Sequence, residues 1–140
     1  MDGCPVYVTW AEDELVGAGF WATADDLFSV APFADPEDFR DPTLGTIWRA
    51  LLDCGEPSAP VVCELLLERG ELDRVGGEVR IATLAFAPQA AARHSPAALE
   101  ALACLVRRWA DRRRILLTAE ARVQDAFFTR PNPRRSEMWL

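Results

Sequence analysis

The last third of the chain contains a long segment without any helix breaker. Residues 96–128 have no proline after the first position and no glycine. Apolar residues recur in this segment at three- and four-residue spacing, which places them on one side of an α-helix. They are Leu99, Leu102, Val106, Trp109 and Leu116. A helix of this length would span about 50 Å, so we expect part of it to project or to bend, and the segment predicts an all-α fold with a long C-terminal helix.

Two shorter helices are indicated near the N-terminus. Thr9 and Glu12 have the spacing of a capping box, in which a hydroxyl and a glutamate satisfy the first backbone N–H groups. This pattern predicts a helix over about residues 11–21, with residues 6–8 as a possible short extended piece before it. Residues 25–30 begin with two aspartates, which the helix dipole favours in a first turn, so they predict a second short helix.

Further helices are delimited by aspartate–proline pairs and by glycines. Each pair, at positions 35–36 and 41–42, places a capping acid before a proline at the first helical position. Helical periodicity then predicts helices over residues 42–54, 60–69 and 78–86. The expected buried face of the first of these three consists of Leu44, Ile47, Trp48, Leu51 and Leu52. These elements predict a compact multi-helix bundle.

A stretch with three glycines, residues 70–77, lies between the last two of these helices. A phosphate-binding Walker loop requires a lysine, and the chain contains no lysine. We therefore interpret the stretch as a structural connector. Gly70 ends one helix in the left-handed conformation, Leu72 and Val75 pin the loop onto the core, and Gly76 with Gly77 allows the next helix to start in a confined space.

The charge is unevenly distributed along the chain. Residues 1–78 carry seventeen acids and four arginines, whereas residues 79–140 carry five acids and eleven arginines. The acidic first half argues against nonspecific wrapping of nucleic acid, which requires many cationic contacts to phosphates. The arginines concentrate in a run with one tryptophan, namely Arg107, Arg108, Trp109, Arg112, Arg113 and Arg114. This run allows three interpretations: a solvated helix face, a surface that binds an acidic protein segment or another copy's acidic half, and a DNA contact.

No pattern in the sequence predicts catalysis, a cofactor or a metal site. Neither a Walker motif nor a nucleophile elbow occurs, and the four cysteines form no C-x-x-C pair. An enzyme that uses Cys104 with His94, or a pair of carboxylates, is our third and weakest hypothesis. We expect no small-molecule substrate. No apolar run reaches the length of a membrane span and the N-terminus does not resemble a secretory leader, so we expect a cytoplasmic protein.

The order of these motifs resembles the N-terminal domain of the DnaB-type replicative DNA helicase. Residues 11–20 (AEDELVGAGF) are similar to its first helix, and residues 37–39 (EDF) to the step that follows. Residues 66–77 (LLERGELDRVGG) match its most specific pattern, and residues 105–115 resemble its final helix. The resemblance covers about residues 11–127. It implies a noncatalytic scaffold that supports ring assembly and forms a platform for primase and loading factors.

The sequence also departs from this family. The family's domain ends in a helical hairpin that pairs subunits, and a proline-bearing tail stands here in place of the second hairpin helix. We therefore expect an N-terminal extension (residues 1–10), a helicase N-terminal-like domain (11–128) and a flexible tail (129–140), without helicase or ATPase activity.

The resemblance predicts a protein-interaction and oligomerisation module of DNA replication. Its expected partners are primase, helicase, a loader or a second copy of the chain in a dimer. The candidate interface is the arginine run around Trp109. The alternative is a DNA-binding accessory factor that uses the same arginine-rich helix, although we expect any DNA contact to be weak.

Overall fold

The computed structural model describes residues 6–88, 90 and 95–129, and every regular element in these ranges is helical. The six α-helices are α1 (Val6–Gly19), α2 (Ala24–Val30), α3 (Pro42–Asp53), α4 (Ala59–Glu68), α5 (Gly77–Ala85) and α6 (Pro96–Gln124). Two 3₁₀ turns, Ala31–Phe33 and Pro36–Asp38, connect α2 to α3, and a π-helical turn, Asp125–Thr129, follows α6. The prediction of an all-α fold with a long C-terminal helix is confirmed.

The chain divides into two compact units, Met1–Ala110 and Asp111–Leu140. In the first unit α3 is the central element, because it packs against α1, α2, α4 and the 3₁₀ turn before it. Its predicted buried face is confirmed, with Leu44, Ile47, Trp48 and Leu51 buried and Leu52 partly buried. The indole N–H of Trp48 also donates a hydrogen bond to the carbonyl oxygen of Ala34 at 2.9 Å, which ties α3 to the preceding turns.

Short polar side chains cap the start of several helices, and the aspartate–proline pair at 41–42 predicted the cap of α3. The Asp41 carboxylate accepts a hydrogen bond from the backbone N–H of Thr43 at 3.0 Å and so caps α3. Thr23 caps α2 in the same way, through the backbone N–H of Asp26. The hydroxyl of Ser95 accepts a hydrogen bond from the backbone N–H of Ala98 at 3.3 Å, at the start of α6. In each case a short polar side chain satisfies an N–H group that has no partner within the helix.

The predicted start of α1 is wrong. Helix α1 begins at Val6, so residues 6–8 are helical rather than extended, and Thr9 lies inside the helix. Glu12 does not complete a capping box with Thr9. Its side chain is buried and accepts hydrogen bonds from the backbone N–H groups of Arg40, at 2.9 Å, and Asp41, at 3.2 Å. A distant segment of the chain therefore uses the carboxylate that the local pattern had assigned to the helix start.

The glycine stretch contains two successive left-handed turns, one that ends α4 and one that precedes α5. Gly70 has φ +69°, and the backbone N–H of Glu71 reaches back to the carbonyl oxygen of Leu66 at 2.9 Å, as in a Schellman motif. The motif then repeats: Gly76 has φ +107°, and the N–H of Gly77 reaches the carbonyl oxygen of Leu72 at 2.9 Å. The intervening Leu72 and Val75 side chains are buried in the core. The chain reverses here, and α5 packs against α4.

Candidate interaction surface

The arginine run on α6 divides between an internal contact and an exposed surface. Arg107, the first residue of the run, points into the first unit. Its Nε donates to the Oδ2 atom of Asp38 at 2.5 Å, and a second guanidinium nitrogen lies 3.2 Å from the Oδ2 atom of Asp35. Asp38 is fully buried and Arg107 is partly buried. Arg107 therefore anchors the first half of α6 to the turn that precedes α3.

Two buried carboxylates hold that turn in place, and the sequence did not assign this role to either. Asp38 accepts a hydrogen bond from the backbone N–H of Asp35 at 2.8 Å in addition to the contact with Arg107. Glu12 holds the next two backbone N–H groups, those of Arg40 and Asp41. The position of Asp38, three residues after a capping aspartate, offered a local signal for its role. No local signal marked Glu12, because its partners lie about 28 residues away.

A second charge cluster involves Asp41, Arg80 and Asp13. The Arg80 guanidinium lies 3.5 Å from the Oδ2 atom of Asp41. Burial by itself would raise the pKa of Asp41, but the hydrogen bonds from Thr43 and the charge of Arg80 outweigh it, so the pKa is lowered. Burial raises the pKa of Asp13, and the attraction of Arg80 does not fully offset it. The pKa values of the two carboxylates are therefore shifted in opposite directions.

The rest of the arginine run lies on a more open part of α6. Arg108, Arg112 and Arg114 are exposed, whereas Trp109 and Arg113 are partly buried. A guanidinium nitrogen of Arg114 lies 3.1 Å from the Oδ1 atom of Asp111, one turn earlier on the same helix. Such exposed pairs contribute little to stability. The predicted interface residues thus share one helix, but Arg107 is held by carboxylates of its own chain.

The apolar positions of α6 change environment at Ala110. Leu99, Leu102, Ala103, Val106 and Ala110 are buried. After Ala110 every side chain described up to Phe127, except that of Arg113, is exposed. Leu116 continues the apolar spacing of the first half of the helix, yet it is 53% exposed.

We call residues 111–124 of α6 the distal segment. Four of its large aliphatic side chains are exposed, at 68% for Ile115, 53% for Leu116, 63% for Leu117 and 54% for Val123. Leu116 and Val123 are seven residues apart and so lie on the same side of the helix. Exposed arginines at positions 112, 114 and 122 accompany these side chains. The distal segment therefore exposes apolar and cationic groups together.

Two of the described cysteines have thiols with a raised pKa. Burial raises the pKa of the Cys54 thiol and of the Cys63 thiol, so both favour the neutral form, which is a weak nucleophile. Cys104 is partly buried. Its hypothetical partner His94 lies outside the described residues, as does Cys4. Within the described ranges no group of three potential metal ligands occurs, and no helix is long and apolar enough to cross a membrane.

The described residues thus form an all-helical fold with six α-helices, two successive glycine turns and a long last helix. No protein-family model matches the sequence, and no curated protein matches it significantly. Among solved structures, the N-terminal domain of DnaB helicase from Mycobacterium tuberculosis matches with a TM-score of 0.70 and 28% sequence identity, over 84% of this chain and 85% of that chain. The protein is DnaB N-terminal-domain-like, as the sequence motifs predicted.

Proposed function

We propose that this protein is a noncatalytic interaction module of DNA replication. It binds primase, the replicative helicase, a helicase loader or a second copy of itself, and it binds through the distal segment of α6. The observation that carries this proposal is the exposure of Ile115, Leu116, Leu117 and Val123 beside exposed arginines. The similarity to the N-terminal domain of a replicative helicase supports the link to replication.

The distal segment has the physical properties of a binding surface. Fully burying a leucine or valine side chain is worth about 1.5–3 kcal/mol, so the roughly half-exposed Leu116 and Val123 each have about 1 kcal/mol to gain in a complex. Arginines beside an apolar centre supply charge-assisted hydrogen bonds to acidic groups of a partner. Their charge also steers an acidic partner toward the surface and raises the association rate.

Arg107 has a different role from the other arginines in this proposal. Because its guanidinium contacts Asp38 and Asp35 of its own chain, it positions the first half of α6. The arginines at 108, 112 and 114 are exposed, so they contact the partner. The predicted interface therefore separates into one positioning residue and a set of contact residues.

Substitution of the apolar centre tests the proposal. We expect L116E together with V123E to weaken binding to the partner at least tenfold, because two carboxylates would have to be desolvated where aliphatic groups were buried. The assay is capture of purified DnaB-type helicase and primase, and self-association of the chain measured by light scattering. Val79 on α5 provides the matched control, because it is 78% exposed and V79E adds the same type of charge outside the distal segment.

Binding of DNA by the exposed arginines is the competing function. It predicts an affinity that falls steeply with salt and weakens when Arg112 and Arg114 are changed to alanine. It also predicts that L116E with V123E, which leaves the arginines in place, has a small effect. If DNA binding follows this pattern and no replication protein is captured, the accessory-factor interpretation replaces the proposal.

A further inference from the structure

The surface between α4 and α5 carries a second apolar site. We call it the α4–α5 groove. The buried side chains of Leu72 and Ile81 form its floor. Leu67 from α4 and Phe86 after α5 form its edges and are 66% and 69% exposed. The groove has a volume of about 490 Å³. This is large enough to accept several aliphatic side chains at once.

The groove is acidic as well as apolar. Its lining includes two carboxylates, Glu64 on α4 and Glu78 on α5, and no basic residue. Burial raises the pKa of Cys63, a residue of α4 that also lines the groove, and the negative charge of Glu78 adds to this shift. Because Glu78 and Cys63 line the same groove, Glu78 lies beside the apolar surface of α4. An occupant of the groove should therefore present aliphatic groups together with cationic ones.

We propose that the α4–α5 groove receives the distal segment of α6 from a second copy of this chain. This inference rests on the self-association form of the proposed function and names the surface that the distal segment contacts. The groove offers an apolar floor with two acids. One side of the distal segment offers Ile115, Leu116 and Val123 together with Arg112 and Arg122, because these positions fall within about one third of the helix circumference. Each surface supplies what the other requires.

The dimensions of the two surfaces agree. Helices α4 and α5 have ten and nine residues, which correspond to lengths of about 15 and 14 Å. Residues 112–122, which contain Arg112 and Arg122 with Ile115 and Leu116 between them, span about 17 Å as a helix. The contact is then a helix laid in a groove between two helices, with anchors from successive turns.

This arrangement differs from the pairing of two α6 helices with each other. The groove and the distal segment are different surfaces, so the contact is heterologous. In a two-fold dimer, each copy contributes its groove to one such contact and its distal segment to the other. This difference between the two arrangements makes the inference testable by mixing variants.

The experiment uses two charge-reversed variants of the full chain. The groove variant carries E64R and E78R, and the segment variant carries R112E and R122E. Sedimentation velocity over a range of concentrations measures self-association, and circular dichroism confirms that each variant is folded. We expect each variant alone to self-associate at least tenfold more weakly than wild type. An equimolar mixture should form a one-to-one heterodimer. In this heterodimer the reversed groove of one variant contacts the reversed segment of the other, and the native groove contacts the native segment.

Two results would overturn the inference. In the first, the groove variant self-associates as wild type does, which indicates that α6 pairs through another surface. In the second, the mixture stays as weak as either variant alone. L67D provides a test without charge reversal and should also weaken self-association, whereas V79E should not. A wild-type chain that is monomeric at all concentrations would also refute this inference. It would leave the binding of helicase or primase to be decided separately by the capture assay.

Discussion

Arg107→Gln would remove the guanidinium group that pairs with the buried carboxylate of Asp38. Asp38 is fully buried, and the Nε atom of Arg107 donates to its Oδ2 atom at 2.5 Å. Breaking a fully buried ion pair from one side costs about 3–5 kcal/mol. The Arg107 side chain is 33% exposed, so water screens part of this interaction. Asp38 also keeps its hydrogen bond from the backbone N–H of Asp35. We therefore expect a loss of about 2–3 kcal/mol in the free energy of unfolding.

Urea unfolding followed by circular dichroism measures this loss directly. For a chain of this length the midpoint of thermal unfolding should fall by roughly 6–9 °C. Arg108→Gln is the matched control, because Arg108 is the next residue on α6 and is exposed. It should change stability by less than about 0.5 kcal/mol. If R107Q and R108Q are equally stable, Arg107 does not anchor α6, and the division between positioning and contact arginines is wrong.

Two further changes test local features of the fold. Gly70→Ala should destabilise the protein by about 1–2 kcal/mol, because Gly70 has φ +69°. Gly55→Ala is the control and should be nearly neutral, because φ at Gly55 is not positive and an added Cβ atom meets no atom within 4 Å. Equal losses of stability in the two variants would contradict the reasoning. Asp41→Asn tests the lowered pKa of Asp41. The pKa of this carboxyl is 3.8 in the unfolded chain and lower in the folded protein. The ionised carboxylate therefore stabilises the fold fully above pH 3.8, and this stabilisation is lost as the pH falls through the folded pKa. The difference in stability between wild type and D41N should therefore be largest near neutral pH and shrink in acid. We expect it to stay below about 1 kcal/mol, because the pair with Arg80 is partly exposed. A difference that does not change with pH would contradict the predicted direction.

Features that depend on neighbours in sequence were predictable. Asp41 caps α3 because the geometry of a helix start brings its carboxylate to the N–H of Thr43. Gly70 ends α4 because the left-handed conformation costs glycine little. The apolar spacing of α3 identified its buried face, which is fixed by helical periodicity alone.

Features that depend on distant parts of the chain were not predictable in this way. Thr9 and Glu12 satisfy the capping-box spacing, yet Glu12 binds backbone groups about 28 residues away. Arg107 and Arg108 are adjacent in sequence, and only the packing of α6 beside Asp38 turns one inward and leaves the other exposed. The apolar periodicity likewise continues to Leu116, although burial ends at Ala110. A periodic pattern identifies an apolar face, but it does not say whether another element covers that face.

The central claim is that the distal segment of α6 is a protein-binding surface. Light scattering of the purified chain, alone and mixed with a DnaB-type helicase or a primase, tests it most directly. In at least one of these samples we expect either a particle larger than the monomer or a complex heavier than the partner alone. We also expect that L116E with V123E abolishes that species while V79E preserves it. A folded chain that remains monomeric alone and in both mixtures would contradict the account.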